Sequence, residues 1–328
     1  MKRNILKFIC GIGLVCAFWS CKNGSQEFPD YEGGTTVYFP YQYPVRTIVL
    51  GDDEYDTTLD QAHQCQIKAT FGGSYKGSNG SVTVAVDESL CNNLYFEDGV
   101  TPVKPMPSSF YTLSTNTLNF NGTFNGSTTV QLTDAFFADP DAVKNTYVIP
   151  LVMTDQMTGF DKILRGSYLE GFTGSRTDAS VWDIKPMDYV LYCVKFQNKY
   201  SGWWLTNGST STENIEKASA VEIKTLSLDD CSYAISFQDG DKVYNANLKL
   251  AFAAGSISSL TDGVTATGTC SWGDNTEKKA WGNKDRDGME LNYTVTFADG
   301  KSFSKHEKLV WQRSGVKVEE FAPVYVVK

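Results

Sequence analysis

The chain has 328 residues, a formal net charge of −9 and 13% aromatic residues. It contains no dense cluster of Lys and Arg, which argues against a nucleic-acid partner because phosphate contacts need concentrated basic charge. A chain of this length exceeds one ordinary hydrophobic core, so we expect two domains. An acidic balance favours solubility and repels polyanions, whereas a neutral sugar would be indifferent to it.

The N-terminus is typical of a bacterial lipoprotein leader. Three basic residues precede an apolar run over residues 8–19, and Cys21 follows after a small residue. The run has about twelve residues, fewer than the ~20 that span a bilayer, so we expect residues 1–20 to be a signal peptide that is removed. Lipid attachment at Cys21 would then anchor the protein through its acyl chains alone. Loss of the leader's three positive charges moves the formal charge from −9 to −12.

The remaining chain divides into four segments. Residues 21–36 are polar and rich in Gly, Ser and Pro, which is typical of a tether. Residues 37–160 contain short runs of Val, Ile, Thr, Tyr and Phe in period-two alternation, and this pattern predicts an all-β domain. The pattern loses its regularity over residues 161–187, which we interpret as a linker. Strand-like runs return over residues 188–328, so the second domain is predicted to be all-β as well.

The second domain has eight or nine predicted strands, the first of them starting at Asp188. The dipeptides Asp239-Gly240 and Asp299-Gly300 each lie between alternating runs, where they favour tight hairpin turns. Many antiparallel strands joined by short hairpins favour an up-and-down barrel, although pattern alone does not separate a barrel from a second sandwich. We find no amphipathic helix of ten or more residues, and only residues 139–143 indicate a capped helical turn.

Five cysteines remain after Cys21, and none forms a Cys-x-x-Cys or His-spaced pair. The sequence therefore gives no support for a zinc site, and buried free thiols are expected. If one disulfide forms, the candidate pair is Cys65 with Cys91, because both lie in the first domain.

Several motifs of the first domain resemble a known family. They are Phe28-Pro-Asp-Tyr31, Val37-Tyr-Phe-Pro-Tyr-Gln-Tyr-Pro-Val-Arg46, Leu132-Thr-Asp-Ala-Phe-Phe-Ala-Asp-Pro140 and Asn145-Thr-Tyr-Val-Ile-Pro-Leu151. Residues 28–160 resemble a domain of unknown function found in Bacteroidetes surface lipoproteins that are encoded in polysaccharide-utilisation loci. The resemblance implies an immunoglobulin-like β-sandwich.

The second domain resembles the lipocalin-like domain that follows in one branch of that family. The motifs are Tyr200-Ser-Gly-Trp-Trp204, Lys284-Asp-Arg-Asp-Gly288 and the stretch from Leu309 to Phe321. The resemblance implies an antiparallel barrel in which Trp204 closes one end and Trp203 faces the other side.

The sequence offers no catalytic constellation. Glycosidases need two carboxyl groups at a fixed separation, and no motif singles out such a pair. The two histidines, His63 and His306, lack partnered motifs, and no Gly-x-Ser-x-Gly turn occurs. Residues 283–288 match the start of a calcium loop, but the acid required at its twelfth position is missing, so a turn is favoured. We therefore expect no enzyme activity, no metal and no cofactor.

Aromatic residues give the stronger indication of function. Five of the seven tryptophans follow the predicted boundary, and flat aromatic rings stack on the apolar faces of sugars. Trp272 and Trp281 lie in predicted loops, where ligand contacts concentrate. We expect Trp281 to be the first candidate for a glycan platform, with Trp272 and Trp203 as further candidates. Packing inside the barrel is the alternative for each.

The expected function is that of a noncatalytic glycan-binding lipoprotein of a polysaccharide-utilisation system. The family resemblance implies an outer-membrane location facing the cell exterior, with a polysaccharide or oligosaccharide as ligand. It also implies two protein partners, a TonB-dependent transporter and its partner binding lipoprotein. Two alternatives stay open. One is a structural or protein–protein accessory module of an outer-membrane transport complex, and the other is a lipocalin-like carrier of a small ligand.

Overall fold

The computed structural model describes residues 29–326 of the chain. The predicted leader, the lipid-attachment residue Cys21 and the first half of the predicted tether, up to residue 28, lie outside these residues. Strands are the dominant regular structure of the described part, which otherwise has only short helical turns, so the all-β prediction is confirmed. It consists of a sheet-rich N-terminal domain and a closed antiparallel barrel of eight strands in the C-terminal region.

Twenty-four strands run through residues 29–326. The first fourteen are β1 Thr36–Tyr38, β2 Pro44–Val49, β3 Gln64–Gly72, β4 Ser81–Val86, β5 Leu94–Tyr95, β6 Lys104–Pro105, β7 Tyr111–Leu113, β8 Thr117–Asn119, β9 Asn125–Leu132, β10 Tyr147–Thr158, β11 Lys162–Ile163, β12 Ser167–Tyr168, β13 Trp182–Ile184 and β14 Tyr189–Gln197. The others are β15 Gly202–Thr206, β16 Ser219–Thr225, β17 Asp230–Asp239, β18 Lys242–Ala251, β19 Ser256–Ser259, β20 Thr265–Glu277, β21 Arg286–Thr296, β22 Ser302–Arg313, β23 Glu319–Glu320 and β24 Val324–Tyr325.

The N-terminal domain is organised by a 12-stranded sheet with the order β11-β1-β3-β9-β8-β4-β10-β14-β2-β23, to which β6 and β7 add at β10 and β9. Its strands alternate as the sequence predicts. In β3, for example, Cys65, Ile67, Ala69 and Phe71 are buried while most residues between them are partly or fully exposed. These inward residues join one large apolar core, and burial of such side chains contributes about 1.5–3 kcal/mol each.

The barrel closes in simple chain order, β15 to β22. Both predicted Asp-Gly hairpins are present: Asp239 pairs with Lys242, and Thr296 pairs with Ser302. Gly240 and Gly300 have φ values of +58° and +81°, a conformation that glycine adopts without the strain that a side chain would bring.

The barrel interior is a packed core. Trp204 has 0% exposure and its indole nitrogen donates a hydrogen bond of 3.0 Å to the Tyr200 carbonyl, so its structural role is as predicted. Leu248, Leu291 and Leu309 are also fully buried within this core. Side chains of the described residues therefore fill the barrel at the end that Trp204 closes.

The structure moves the predicted boundary between the domains. Strand β14, which begins near the predicted start of the barrel domain, instead pairs with β10 and β2 of the N-terminal sheet. The barrel itself runs from Gly202 to Arg313, and β23 and β24 then return to pair with β2 and β5. The predicted linker also contains paired strands, since β11 joins β1 and β12 joins β13. Alternation in one strand does not reveal which sheet the strand will join, and the boundary prediction failed for that reason.

Helical structure is limited to short turns in the described residues. The two α-helices are α1 Thr58–Gln61 and α2 Asp134–Phe137. The five 3₁₀ turns are Glu88–Cys91, Pro140–Val143, Ala179–Val181, Ile215–Lys217 and Trp281–Asn283. The predicted capped turn is confirmed: the Asp139 carboxylate accepts a hydrogen bond from the Asp141 N–H, and Pro140 opens the turn.

All five cysteines in the described residues are buried free thiols, as expected: Cys65, Cys91, Cys193, Cys231 and Cys270. Cys65 and Cys91 belong to different apolar clusters, so the candidate disulfide between them is absent.

Candidate functional site

A cleft of about 320 Å³ lies in the N-terminal domain, between the predicted linker and the returning C-terminal tail. Its walls carry four aromatic side chains together with planar polar and cationic groups. The main side chains are Gln42, Tyr43, Arg176, Trp182, Lys185 and Tyr189, and Phe321, Ala322 and Pro323 complete one wall. We call this the Trp182 cleft. Its volume lies within the range of about 300–1,000 Å³ that is usual for small-ligand pockets.

Local structure fixes the Trp182 ring. The indole Nε1 donates a hydrogen bond of 3.0 Å to the Ser175 carbonyl, and the ring stacks on Tyr168 with centroids 3.9 Å apart and an interplanar angle of 23°. Just before Trp182, the Asp178 side chain caps the 3₁₀ turn Ala179–Val181 by accepting from the Ser180 N–H. An indole held at both its edge and one face loses little freedom when a ligand arrives, which lowers the cost of binding.

A buried ion pair positions the guanidinium of Arg176 in the cleft. Asp188 has 0% exposure and accepts hydrogen bonds from Arg176 Nε at 3.2 Å and from Arg165 at 2.8 Å. Burial raises the pKa of Asp188, and the two guanidinium groups oppose that rise. Because Arg176 binds Asp188 through Nε, its terminal nitrogens keep donors for a ligand.

The opposite wall of the cleft is aromatic. Tyr43 packs edge-on against Phe321 at 5.4 Å, and its hydroxyl shares a hydrogen bond with that of Tyr189. Gln42 donates from its amide nitrogen to the Phe39 carbonyl at 2.7 Å, which leaves the amide oxygen as an acceptor. The cleft therefore combines aromatic faces with an amide and a guanidinium.

The three tryptophans predicted from the sequence lie elsewhere. Trp203 points outward from β15, beside the Arg313 guanidinium at 5.7 Å from its ring. Trp281 lies in the loop between β20 and β21, and the Arg286 guanidinium covers one ring face at 4.8 Å. No ring contact joins any two of the three within residues 29–326, so they do not form one platform.

The prediction that Trp272 lies in a loop is wrong. This residue lies inside strand β20, paired with Met289, rather than in a loop. Its ring packs edge-on against Tyr200 at 5.6 Å and lies under the Lys199 ammonium at 4.6 Å. Its indole nitrogen is buried without a hydrogen-bond partner among the described residues. The composition of the Trp-Gly-Asp-Asn stretch favours a turn, but the length of the β20–β21 ladder overrides that preference.

Three carboxylates meet where the N-terminal domain contacts the barrel. Oxygens of Asp52, Asp274 and Asp287 lie within 4.8 Å of one another, and the Asp287 carboxylate accepts a 2.9 Å hydrogen bond from the Asn275 N–H. Burial, together with Asp274 and Asp52, raises the pKa of Asp287 to about 6. Of the two aspartates in the incomplete calcium loop, only Asp287 belongs to this group. Asp285 instead pairs with Lys278 at 3.0 Å.

This acidic group lines a cavity of about 170 Å³, below the size of about 300 Å³ at which small-ligand pockets begin. Neither histidine joins it. His306 contacts Glu290 at 2.6 Å on the barrel surface, and His63 packs against Phe137. The cavity beside the three carboxylates therefore has room for water-sized molecules but not for a sugar within a glycan chain.

Sequence reasoning missed the Trp182 cleft. Trp182 falls within the segment interpreted as an irregular linker, and the opposite wall comes from residues 42–43 and 321–323, far away in sequence. The available signal was the sequence Trp182-Asp-Ile-Lys-Pro186, in which an indole is followed by two charged residues and, four positions later, by a proline.

No helix within residues 29–326 is long and apolar enough to cross a membrane.

Comparisons with known proteins agree with the two-part architecture. A family model described as a domain of unknown function, DUF5627, matches residues 198–315, which closely bracket the barrel. A second model, described only as an N-terminal domain, matches residues 31–159. No curated protein matches the chain.

Two solved structures are similar to the chain. A crystal structure of a protein of unknown function from Bacteroides ovatus has 34% sequence identity and a TM-score of 0.82, and the match covers 91% of this chain and 100% of that one. A multidomain protein including DUF1735, also from Bacteroides ovatus, has 12% identity and a TM-score of 0.39, with coverage of 84% and 92%. The identity and complete coverage of the first structure show that the chain belongs to the same family as this Bacteroides ovatus protein.

Proposed function

We propose that the protein is a noncatalytic glycan-binding lipoprotein whose sugar-binding site is the Trp182 cleft. One observation carries the proposal: an indole held on one face by Tyr168 lines the same cleft as the Gln42 amide and the Arg176 guanidinium. Sugar rings have apolar C–H faces that stack on aromatic rings, and their hydroxyls bond to planar amide and guanidinium groups.

The proposed mechanism is capture without bond cleavage. Glycoside hydrolysis needs two carboxyl groups on either side of the scissile bond, with space for the sugar between them. Among the described residues, no carboxylate lines the Trp182 cleft, and Asp188 behind Arg176 is fully buried and held by Arg176 and Arg165. The group of Asp52, Asp274 and Asp287 lies in a different and smaller cavity.

The proposed setting is the outer membrane, with lipid at Cys21 and the folded domains facing the cell exterior. A TonB-dependent transporter and its partner binding lipoprotein are the proposed protein partners, and an extracellular polysaccharide or oligosaccharide is the ligand. Tethering to a surface raises the effective concentration of each site, so modest affinity suffices for capture.

Affinity gel electrophoresis and isothermal titration calorimetry against a panel of host and dietary glycans would test the binding site. Trp182→Ala should weaken binding by about tenfold or more, because loss of about 1.4 kcal/mol of stacking free energy changes the dissociation constant tenfold. Trp281→Ala is the matched control, since Trp281 lies outside the cleft and should leave binding unchanged. Near-ultraviolet circular dichroism of both variants would verify that the fold is intact.

If binding is lost in Trp281→Ala and retained in Trp182→Ala, the glycan binds to the barrel near Trp281 and not to the Trp182 cleft. Absence of binding to every glycan would favour the accessory-module alternative instead. A specific feature supports that second candidate: the hairpin that carries Trp182 also exposes Leu169, Phe172 and Ile184 by 39%, 54% and 55%. Exposed apolar side chains grouped on one segment are typical of protein-contact surfaces.

Lipidation has its own test. Globomycin treatment of expressing cells should leave an unprocessed precursor that is larger by the leader, and Cys21→Ser should abolish labelling by radioactive palmitate. If the protein has the same size with and without globomycin, the lipoprotein proposal is overturned. That result would not bear on the cleft.

A further inference from the structure

The barrel has an opening in its side wall. Residues 219–223 of β16 pair with residues 206–202 of β15. With β17, by contrast, only residues 223–225 of β16 are paired. Within the described residues, the first half of β16 and the second half of β17 therefore face each other without ladder hydrogen bonds. This separation gives access to the barrel interior from the side.

A cavity of about 520 Å³ lies behind this opening. Its walls include the side chains of Tyr233, Phe237 and Tyr293, and the β15–β16 loop forms its rim. Phe237 is held by an almost parallel stack on Phe303, with centroids 4.6 Å apart and an interplanar angle of 3°. Hydroxyl and amide residues also line the cavity, namely Thr206, Asn207, Ser219 and Ser236, together with the apolar residues Ala218, Val221, Ala234 and Ile235. We call this the side cavity.

A buried carboxylate organises the inner end of the side cavity. Glu307 has 0% exposure, and its Oε1 accepts hydrogen bonds from the hydroxyls of Tyr233 at 3.2 Å and Tyr293 at 2.9 Å. Its Oε2 accepts from the Thr206 hydroxyl at 3.1 Å and lies 3.0 Å from Lys305 Nζ. Both carboxylate oxygens are thus occupied by the protein, so Glu307 needs no ligand of its own.

The lysines of the side cavity retain free donors. An ammonium group has three N–H donors, and Lys305 uses one of them for Glu307. Lys217 also lines the cavity and forms no ion pair with any residue in the range 29–326. Two ammonium groups therefore line this cavity although the chain as a whole is acidic, and only that of Lys305 is paired with a carboxylate among residues 29–326.

Packing below the side cavity limits the ligand's length. Leu248, Leu291 and Leu309 are fully buried and fill the barrel toward Trp204. An alkyl chain would find no channel there among the described residues. The hydroxyl-lined walls suit a compact ligand that carries hydroxyl groups of its own.

We propose that the side cavity binds an acidic sugar unit of a glycan, with its carboxylate on Lys305 and Lys217 and its ring against Phe237. The inference names an anionic carbohydrate as the ligand class. It concerns a second site, separate from the Trp182 cleft, and its test does not depend on that cleft. The barrel would then recognise the negative charge of the glycan. A lipocalin-like carrier would instead need a long apolar interior, and packed leucine side chains occupy that space here.

Calorimetric titration of the purified chain with tri-galacturonate and tri-glucuronate tests the inference, with the methyl esters of the same trisaccharides as neutral ligands. We expect the acids to bind at least about tenfold more tightly than the esters, because hydrogen bonds to charged groups are the stronger kind. Lys305→Met and Lys217→Met should each weaken binding of the acids and leave the esters unaffected. Lys224→Met is the matched control, since Lys224 pairs with Glu222 on the barrel's outer surface.

Lys217 is exposed and has no ion-pair partner among residues 29–326, so Lys217→Met keeps the test valid even if Lys305→Met unfolds by leaving Glu307 without its cation. Equal binding of acids and esters would overturn the inference, as would an equal effect of the Lys224 and Lys217 substitutions. Absence of any binding by the acids would overturn it too. Weaker binding of the acids in Trp182→Ala, with no effect of Lys217→Met, would move the acidic sugar to the Trp182 cleft. These results are distinguishable from failure of the proposed function, which is measured with Trp182→Ala.

Discussion

Lys195 of β14 contacts Glu319 of β23, with Nζ and Oε2 2.9 Å apart. The two residues are far apart in sequence, and the whole barrel lies between them. They flank β2, which pairs with both β14 and β23. The N-terminal sheet is therefore completed by β23, a strand that follows the barrel in the chain, and the barrel is an insertion within that domain.

Phe321 is expected to anchor this return. The side chain is 3% exposed and packs against Tyr43 and Phe96, with ring centroids 5.4 Å and 5.0 Å away. Phe321→Ala should lower the free energy of unfolding by about 3–5 kcal/mol, measured by urea denaturation, because it leaves a cavity in a packed cluster. Val318→Ala, at a fully exposed position of the same tail, should change stability by less than about 0.5 kcal/mol. Similar losses in the two variants would contradict the anchoring role.

Asp287 should make stability depend on pH in a defined window. Its pKa is raised from 3.8 to about 6, so the folded protein binds its proton more tightly than the unfolded chain does. The stability contribution is full below pH 3.8 and is lost as the pH rises through about 6. Asp287→Asn should therefore raise the free energy of unfolding by about 1–3 kcal/mol at about pH 7.5 and change it little at about pH 3.5.

Urea denaturation at a series of pH values would check this prediction. Asp285→Asn is a suitable control because Lys278 and the Lys279 N–H lower the pKa of Asp285 instead. Identical pH profiles for wild type and Asp287→Asn would show that neither burial nor the neighbouring carboxylates raise the pKa of Asp287 in the folded protein.

Glu307 should be the most sensitive polar residue of the barrel. Glu307→Ala removes the acceptor for Tyr233, Tyr293 and Thr206 and leaves Lys305 without its anion. Breaking a buried charged network by removal of one partner costs about 3–5 kcal/mol, which should appear as a large fall in the thermal unfolding midpoint. Glu290→Ala, which loses only a surface contact with His306, should change stability by about 1 kcal/mol or less. Equal shifts in the two variants would contradict the proposed network.

The five cysteines should be unreactive in the folded protein. Burial raises the pKa of Cys65, Cys193 and Cys231 to about 12, and that of Cys270 to about 11. Ellman's reagent at about pH 8 should thus label none of the five thiols until guanidinium unfolds the chain, because the thiolate is the reactive form. Rapid labelling of one thiol without denaturant would show that its surroundings open in solution.

The strands were predictable because they depend on local alternation. Asp239-Gly240 and Asp299-Gly300 marked both hairpins, and the aromatic at Trp204 was correctly expected to be structural. The sheet that each strand joins was not predictable in the same way. Tyr189–Gln197 shows a strand's composition, but its partners β10 and β2 come from segments about forty and one hundred and fifty residues earlier, and composition carries no record of such pairings.

The candidate sites depend still more on long-range contacts. Trp182 acquires its role from Tyr43 and Phe321, and the sequence gives no reason to bring these residues together. Glu307 alternates with His306 and Lys308 on β22, so the sequence pattern does not distinguish it from a surface acid. Its burial follows from the orientation of β22, which places Glu307 in line with Leu309 and Trp311 on the inner face.

The barrel leaves the N-terminal sheet after β14 and re-enters it at β23, on the two sides of β2, and its own two ends are paired at Trp203 and Arg313. The ribosome must therefore synthesise the whole barrel segment before β23 can pair with β2 and Phe321 can pack against Tyr43 and Phe96. A truncated chain that stops before the tail would leave an open sheet edge and an empty apolar socket, which invites association between copies. Because the barrel is an insertion between β14 and β23, its rim loops can vary in sequence without changing the strands of the N-terminal sheet.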